Sequence, residues 1–116
     1  MDNCLFCKIV RGEIPSRKVY EDELVLAFHD VNPARPVHLL VVPKQHITSL
    51  ATASETDQPV LGRMLALANR LASENGSPDG FRVIINTGRV GNQEVPHLHA
   101  HIVGGPDPVG PMLKRI

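Results

Sequence analysis

Three of the six histidines in this 116-residue chain stand at alternate positions, in His97-Leu98-His99-Ala100-His101-Ile102-Val103. Successive side chains of a β-strand point to opposite faces, so the three imidazoles share one face and Leu98, Ala100 and Ile102 can pack on the other. Same-face neighbours are about 7 Å apart along a strand, which predicts rings too distant for direct contact but able to share a ligand. Imidazole titrates near pH 6.5 and is a nucleophile at neutral pH. A row of such rings after a Gly/Asn-rich loop suits attack on a phosphorus centre, one ring as nucleophile and its neighbours fixing its tautomer. The competing readings are a solvated strand face and a transition-metal patch.

A second set of reactive side chains opens the chain. Cys4-Leu5-Phe6-Cys7 is a Cys-x-x-Cys knuckle, and two thiolates with two imidazoles make a tetrahedral set for zinc. On its own the knuckle is equally compatible with a redox pair or with two buried, inert cysteines, although a thioredoxin-like pair would follow a strand in a βαβ unit.

The elements that must hold these residues follow from periodicity. A short amphipathic helix is expected at 4–11, with Leu5, Phe6 and Ile9 inward and Gly12 ending it. Strands are expected at 17–20 and 24–28 around a Glu21-Asp22-Glu23 turn, and at 37–42 ahead of Pro43. Two prolines exclude 31–36 from a paired strand. Val60, Leu61, Met64, Leu67, Ala68 and Leu71 recur at helical spacing, predicting a helix over 57–74 capped by Asp57, with Pro59 in its first turn and Asn75-Gly76 as its stop. Strands at 82–86 and 97–103 complete five strands and two helices. Their mostly hairpin order indicates an α+β domain on an antiparallel sheet spanning 1–116, with an irregular tail over 104–116.

Composition narrows the partners. Hydrophobic residues are 42% and charged residues 21%, enough apolar content for a core. Twelve basic residues balance twelve acidic ones, and aromatics are only 3%. That excludes the basic surface and stacking platform of a general nucleic-acid binder, and gives no cue for an anionic membrane. No run reaches the roughly 18 apolar residues of a membrane span. Met1-Asp2-Asn3-Cys4 lacks the charged start and apolar core of a secretory leader, so a reducing cytoplasm is the expected compartment.

The segment His97-Leu98-His99-Ala100-His101-Ile102-Val103 resembles the signature of the histidine-triad (HIT) family, three histidines alternating with apolar residues. The resemblance runs through Phe6-Cys7-Lys8-Ile9-Val10-Arg11-Gly12-Glu13-Ile14-Pro15, Ala27-Phe28-His29-Asp30-Val31, Pro43-Lys44-Gln45-His46-Ile47, Asn86-Thr87-Gly88 and Gln93-Glu94-Val95. It is strongest to the nucleotide-binding, phosphoramidase-like branch, and the tail Gly110-Pro111-Met112-Leu113 is similar to that of bacterial members.

The resemblance implies a homodimer with a ten-stranded sheet across two subunits, each with a site for a purine nucleoside monophosphate such as AMP. His99 matches the nucleophile, His101 the ring that supports it, and His97 the first, partly structural member of the triad. Asp30 matches the carboxylate on the ribose hydroxyls, and Asn86 a polar residue near the phosphate. Gln93 and Val95 fall where the family lines the phosphate with a side-chain amide and a backbone N–H. Phe6, Ile9, Ile14, Phe28 and Val31 match the base pocket, with His29 either lining the same slot or exposed at a strand end. His38 is read as structural. Taken on sequence alone, Asp30 equally suits a turn before Asn32-Pro33, Gln93 a solvent-facing loop and Asn86 a strand end. Glu94 stands where animal members carry Ser, and a carboxylate beside an α-phosphate would repel it.

Zinc-bearing relatives combine an N-terminal cysteine pair with a histidine after the third strand and the first triad histidine, so the resemblance implies Cys4, Cys7, His46 and His97 as ligands of a structural zinc. No catalytic metal is expected. The implied activity is hydrolysis of a purine nucleoside 5′-phosphoramidate through a nucleotidyl-histidine, with release of the monophosphate. A dinucleoside polyphosphate hydrolase or phosphorylase is the enzymatic alternative. A nucleotide-binding interaction module with weak catalysis is the non-enzymatic one.

Overall fold

The computed structural model describes residues 3–113. Five strands form one antiparallel sheet: β1 (Lys18–Glu21), β2 (Val25–His29), β3 (Val37–Pro43), β4 (Arg82–Ile84) and β5 (Ala100–Gly104), in the order β1-β2-β3-β5-β4. The α+β class with five antiparallel strands stands as expected. β3 is buried along its whole length, and β2 up to Phe28. Both strands therefore read as near-continuous apolar runs, because each has its two faces covered.

One face carries Val25, Ala27, Leu39, Val41, Leu98, Ala100 and Ile102, packed with Val60, Met64, Leu67 and Leu71 from the long helical segment. The other carries Leu26, Phe28, Leu40 and Val42 against Phe6 and Ile9 of α1 (Leu5–Val10). Leu98, Ala100 and Ile102 thus anchor the histidine segment from behind, as the alternation requires.

Several boundaries move by a residue or more, and those at α1, the long helix, β5 and β4 have a local reason. Cys4 is the N-cap of α1 and its Sγ accepts from the Cys7 N–H at 3.4 Å, so the helix proper starts at Leu5; Gly12, at φ +79°, turns the chain out beyond its end. The helix expected over 57–74 is preceded by a 3₁₀ turn (Glu55–Asp57) and divides into α2 (Gln58–Ala66) and α3 (Ala68–Glu74) at Leu67. Asp57 holds the N-cap position of α2 as expected but makes no side-chain cap bond there: its carboxylate accepts the Ser54 N–H at 2.9 Å and braces the 3₁₀ turn. Bonds from Leu67 N to Arg63 O and from Leu71 N to Leu67 O carry the helical pattern across the division.

The third change bears on the site. β5 begins at Ala100, not His97, because the β3 ladder runs out at the Val41–Ala100 pair. Pro43 has no N–H to offer, and its carbonyl oxygen lies 2.8 Å from His97 Nε2. Leu98 N instead donates to Ile47 O at 2.7 Å. Similarly, β4 stops at Ile84, and Asn86 Nδ2 donates to Gly91 O at 2.8 Å, tying the following loop to the strand end. Beyond Gly104 the described tail has no helix or strand; Arg35 and Arg82 donate to the Val109, Gly110 and Pro111 carbonyls.

Candidate active site

The α1 face of the sheet opens into a cavity of about 600 Å³, lined by Leu5, Phe6, Ile9, Ile14, Phe28, His29, Asp30, Val31, His38, Leu40, Asn86, Asn92, Glu94, Val95, His99 and His101, with Pro15, Ser16 and Asn32 at its margin. This size suits a small organic ligand. Part of its lining is aliphatic and aromatic, and part is the contacting imidazoles of His38, His99 and His101.

Among these imidazoles, ring tautomers follow from backbone partners. His99 Nδ1 is 2.8 Å from the His97 carbonyl oxygen, so Nδ1 carries the hydrogen and the lone pair of the neutral ring sits on Nε2. His38 Nδ1 accepts the Ala34 N–H at 3.0 Å, placing the His38 hydrogen on Nε2. That hydrogen faces His101 Nδ1 at 2.9 Å and Asp30 Oδ2 at 3.4 Å. His101 therefore accepts at Nδ1, and its own neutral-ring hydrogen falls on Nε2. The outcome is an unprotonated nitrogen on His99 and an N–H on His101, on adjacent rings. These rings touch, with centroids 5.0 Å apart, so the expected separation is corrected: the side chains lean together where the backbone alone spaces them farther apart.

Burial, with the neighbouring His99 and His38, pushes the His101 pKa down to about 4, against a smaller opposing effect of Asp30. His101 is thus neutral at pH 7. Asp30, His38 and His101 could geometrically hold a metal ion. The Ala34 hydrogen bond argues otherwise, since it keeps a hydrogen on the His38 nitrogen that would have to ligate. His38 is a cavity-lining residue that the sequence analysis did not place at the site. The available signal was a polar side chain on the Leu40–Val42 face of an otherwise apolar strand, since a buried polar group needs partners.

The remaining expected residues divide. Phe6 meets the His99 ring edge-on at 5.1 Å and Phe28 at 5.7 Å, with Ile9 and Ile14 beside them. Val31 is 90% exposed, at the cavity mouth. His29 lines the cavity, and burial, then Arg17, lowers its pKa. Asp30 Oδ1 accepts the Asn32 N–H at 2.8 Å, so the turn geometry and the cavity-facing carboxylate coexist in one residue. Gln93 requires correction. Its Nε2 donates to Thr48 O at 2.8 Å and to Val95 O at 2.9 Å, and its Oε1 accepts the Gly88 N–H at 3.0 Å. Both amide hydrogens are committed, so Gln93 braces the loop and has none left for a phosphoryl oxygen. His97 is also corrected as a catalytic group: it is fully buried, both ring nitrogens are engaged, and it lies outside the cavity lining.

His97 belongs to a second cluster. Its Nδ1 lies 3.3 Å from Cys4 Sγ and 3.5 Å from Cys7 Sγ, while His46 Nδ1 lies 3.3 Å from Cys7 Sγ. All four potential ligand atoms fall within 4.8 Å of one another. Zinc–sulfur and zinc–nitrogen bonds of about 2.3 and 2.05 Å at tetrahedral angles give S···N edges of about 3.5 Å, so the spacing fits. The donor chemistry fits too: His97 Nε2–H on the Pro43 carbonyl leaves the Nδ1 lone pair facing the sulfurs, the usual outer contact of a ligating histidine. Burial and Cys4 push the Cys7 thiol pKa up, a sign that a divalent cation would reverse. These four residues could bind a metal ion.

The HIT domain family model matches residues 11–107. The chain belongs to the HIT family. Among HIT relatives, Protein HitA of Neisseria gonorrhoeae is 53% identical over 106 residues, covering 91% of this chain and 99% of HitA. The purine nucleoside phosphoramidase of Escherichia coli K12 is 45% identical over 115 residues, covering 98% and 96%. A HIT family hydrolase from Clostridium thermocellum superposes with TM-score 0.90 at 41% identity, covering 97% and 99%. A histidine triad protein from Clostridium difficile gives 0.86 at 49%, covering 95% and 96%. The matched HIT span contains His46 and His97 but not Cys4 and Cys7, so half of the metal cluster comes from the segment before it.

Proposed function

We propose that this HIT protein is a nucleotide hydrolase of the phosphoramidase type, acting on purine nucleoside 5′-phosphoramidates. The carrying observation is the fixed tautomer of His99, whose Nδ1–H rests on the His97 carbonyl and leaves Nε2 as a lone-pair nitrogen on a cavity-lining ring. The 45% identity to a protein named purine nucleoside phosphoramidase supports the substrate class.

In this reading His99 Nε2 attacks the α-phosphorus in line. The P–Nε2 bond forms as the bond to the amine breaks, and the amine departs with a proton. Water then attacks the same phosphorus, the P–Nε2 bond breaks, and the monophosphate is released with one proton to the medium. His101 offers its Nε2–H as a hydrogen bond to a phosphoryl oxygen, and the proton the amine carries away comes from the medium, to which the water step returns one. Asp30 holds the ribose hydroxyls, Asn86 and the Val95 backbone border the phosphate, and Phe6, Ile9, Ile14, Phe28, His29 and Val31 enclose the base. Glu94 lines the cavity too, and its carboxylate is assigned no phosphate contact.

Zinc in the Cys4, Cys7, His46 and His97 cluster would have a structural role, tying α1 to the start of the histidine segment. A homodimer with a continuous ten-stranded sheet and a cytoplasmic setting complete the reading. No helix among the described residues is long and apolar enough to cross a membrane.

The test is turnover of an adenosine 5′-phosphoramidate against a diadenosine polyphosphate, with acid-quench detection of nucleotide on His99. Preference for the phosphoramidate together with the adduct supports the proposal. Preference for the polyphosphate assigns the chain to the other HIT reaction, and monophosphate binding without turnover of either makes it a binding module. Light scattering at micromolar concentration tests the dimer.

A further inference from the structure

The two clusters are joined at two points that the metal reading by itself leaves without function. The first is the His97 carbonyl, which orients His99 while the His97 side chain sits among the sulfurs. The second is Phe6, the residue inside the Cys4–Cys7 knuckle, whose ring meets His97 at 5.8 Å and His99 at 5.1 Å and lines the cavity. We propose that the Cys4/Cys7/His46/His97 clip is a positioning device for the phosphorus site: a metal held there fixes the carbonyl that orients His99 and the Phe6 ring that walls the nucleoside end.

Among these four side chains acceptors outnumber good donors. With Nε2–H on Pro43 O, His97 turns a lone pair toward two sulfurs, and Cys7 faces a second imidazole at 3.3 Å. Two thiols supply only weak S–H donors to these rings, and two thiolates would set negative charge against nitrogen lone pairs; a cation satisfies all four groups at once. Without it the knuckle keeps the Cys7 N–H contact to Cys4 Sγ at 3.4 Å and the backbone bonds of Lys8 N to Cys4 O and Arg11 N to Cys7 O, both 3.0 Å, and α1 is six residues long. So short a helix has little intrinsic stability, so the placement of Phe6 depends on the clip. On the sheet side, His97 precedes the first paired residue of β5, and its carbonyl shares a peptide unit with the Leu98 N–H, whose acceptor at 2.7 Å is Ile47 O, the residue after His46.

The inference rests on the nucleotide reading for two of its three tests. Zinc-loaded full-length protein is compared with chelator-stripped, reduced protein and with stripped protein given zinc again, each checked for folding by circular dichroism. Stripping is expected to slow the first-turnover formation of the His99 adduct at least tenfold and to weaken AMP binding several-fold, with both restored by zinc. Phe6→Leu, with the clip intact, is expected to weaken AMP binding more than it slows the first turnover, separating the ring from the carbonyl. The third test needs no nucleotide: two-bond proton–nitrogen correlation spectra should show His99 as a single Nδ1–H tautomer in loaded protein and as a mixture in stripped protein. Folded, stripped protein with an unchanged His99 spectrum would overturn the proposal even if the nucleotide reading failed. So would AMP affinity and first-turnover rate within twofold of the loaded form, or failure to bind near-stoichiometric zinc under reducing conditions.

Discussion

Two histidines, two residues apart in sequence and on the same side of the sheet, do opposite things. His97 puts its Nε2–H on the Pro43 carbonyl and turns the Nδ1 lone pair to sulfur; His99 puts its Nδ1–H on the His97 carbonyl and keeps the lone pair on Nε2, on a ring that lines the cavity. The difference is not in residue type or exposure, since both are buried. It lies in which carbonyl oxygen each ring finds, because the partner of one nitrogen dictates what the other can do. A ligand-ready imidazole and a nucleophile-ready imidazole are thus built from one strand pattern.

Removing the cavity nitrogen is the sharpest way to break the comparison. His99→Ala should lower the rate of nucleotidyl transfer by on the order of 10³-fold or more while leaving metal stoichiometry unchanged. A rate within tenfold of the parent would move the nucleophile elsewhere. Cys7→Ser attacks the other side. It should drop bound zinc below half an equivalent and lower the thermal midpoint by on the order of 10 °C, as loss of a structural metal requires. An unchanged midpoint with unchanged metal content would remove Cys7 from the ligand set.

A finer test separates His38 from both. His38→Phe deletes the Nε2–H that holds His101 in its tautomer, so kcat should fall by roughly 10- to 100-fold, the usual cost of losing the partner behind a functional imidazole, with AMP affinity less affected. Partial recovery in His38→Gln, which restores an N–H donor, would confirm the hydrogen bond as the cause; equal loss in both variants would contradict it.

The smallest effect is a pH dependence of stability. His101 has its folded-state pKa depressed to about 4, mainly by burial, from an ordinary 6.5. Between those values the unfolded chain binds the extra proton, so stability falls as pH drops from about 6.5 toward 4 and is fully present above 6.5. The contribution is on the order of 2 kcal/mol. Denaturant titrations at pH 7 and 4.5 should show a smaller loss for His101→Gln than for the parent; equal losses would deny His101 a measurable share of the acid sensitivity.

Much of the fold was legible because its signals are local. The apolar runs of β2 and β3, the 3.6-residue stripe from Val60 to Leu71 and the alternation around His99 each name an element and an inward face without reference to the rest of the chain. The polar residues were less legible. Asn86 and Gln93 are ordinary loop amides in sequence, and only the path of the 86–95 loop shows that the Gln93 hydrogens end on Thr48 and Val95 carbonyls. His38 was hidden in an apolar strand, and its three partners lie on two other segments, Asp30 and Ala34 in the β2–β3 connection and His101 in β5.

What the sequence determined by itself, then, is which side chains share a face, because the two-residue period of a strand is a property of the backbone. It also set the reactive inventory: three alternating imidazoles and a cysteine knuckle. The tertiary structure decided the assignment of roles. Pro43, which cannot donate to the ladder, ends the pairing before His97 and leaves a carbonyl for that ring. From this termination follow the orientation of His97 toward the knuckle and of its carbonyl toward His99. His97 and His101 take their tautomers from distant partners, Pro43 and His38, while His99 and His38 take theirs from nearby backbone groups whose orientation no side-chain period encodes.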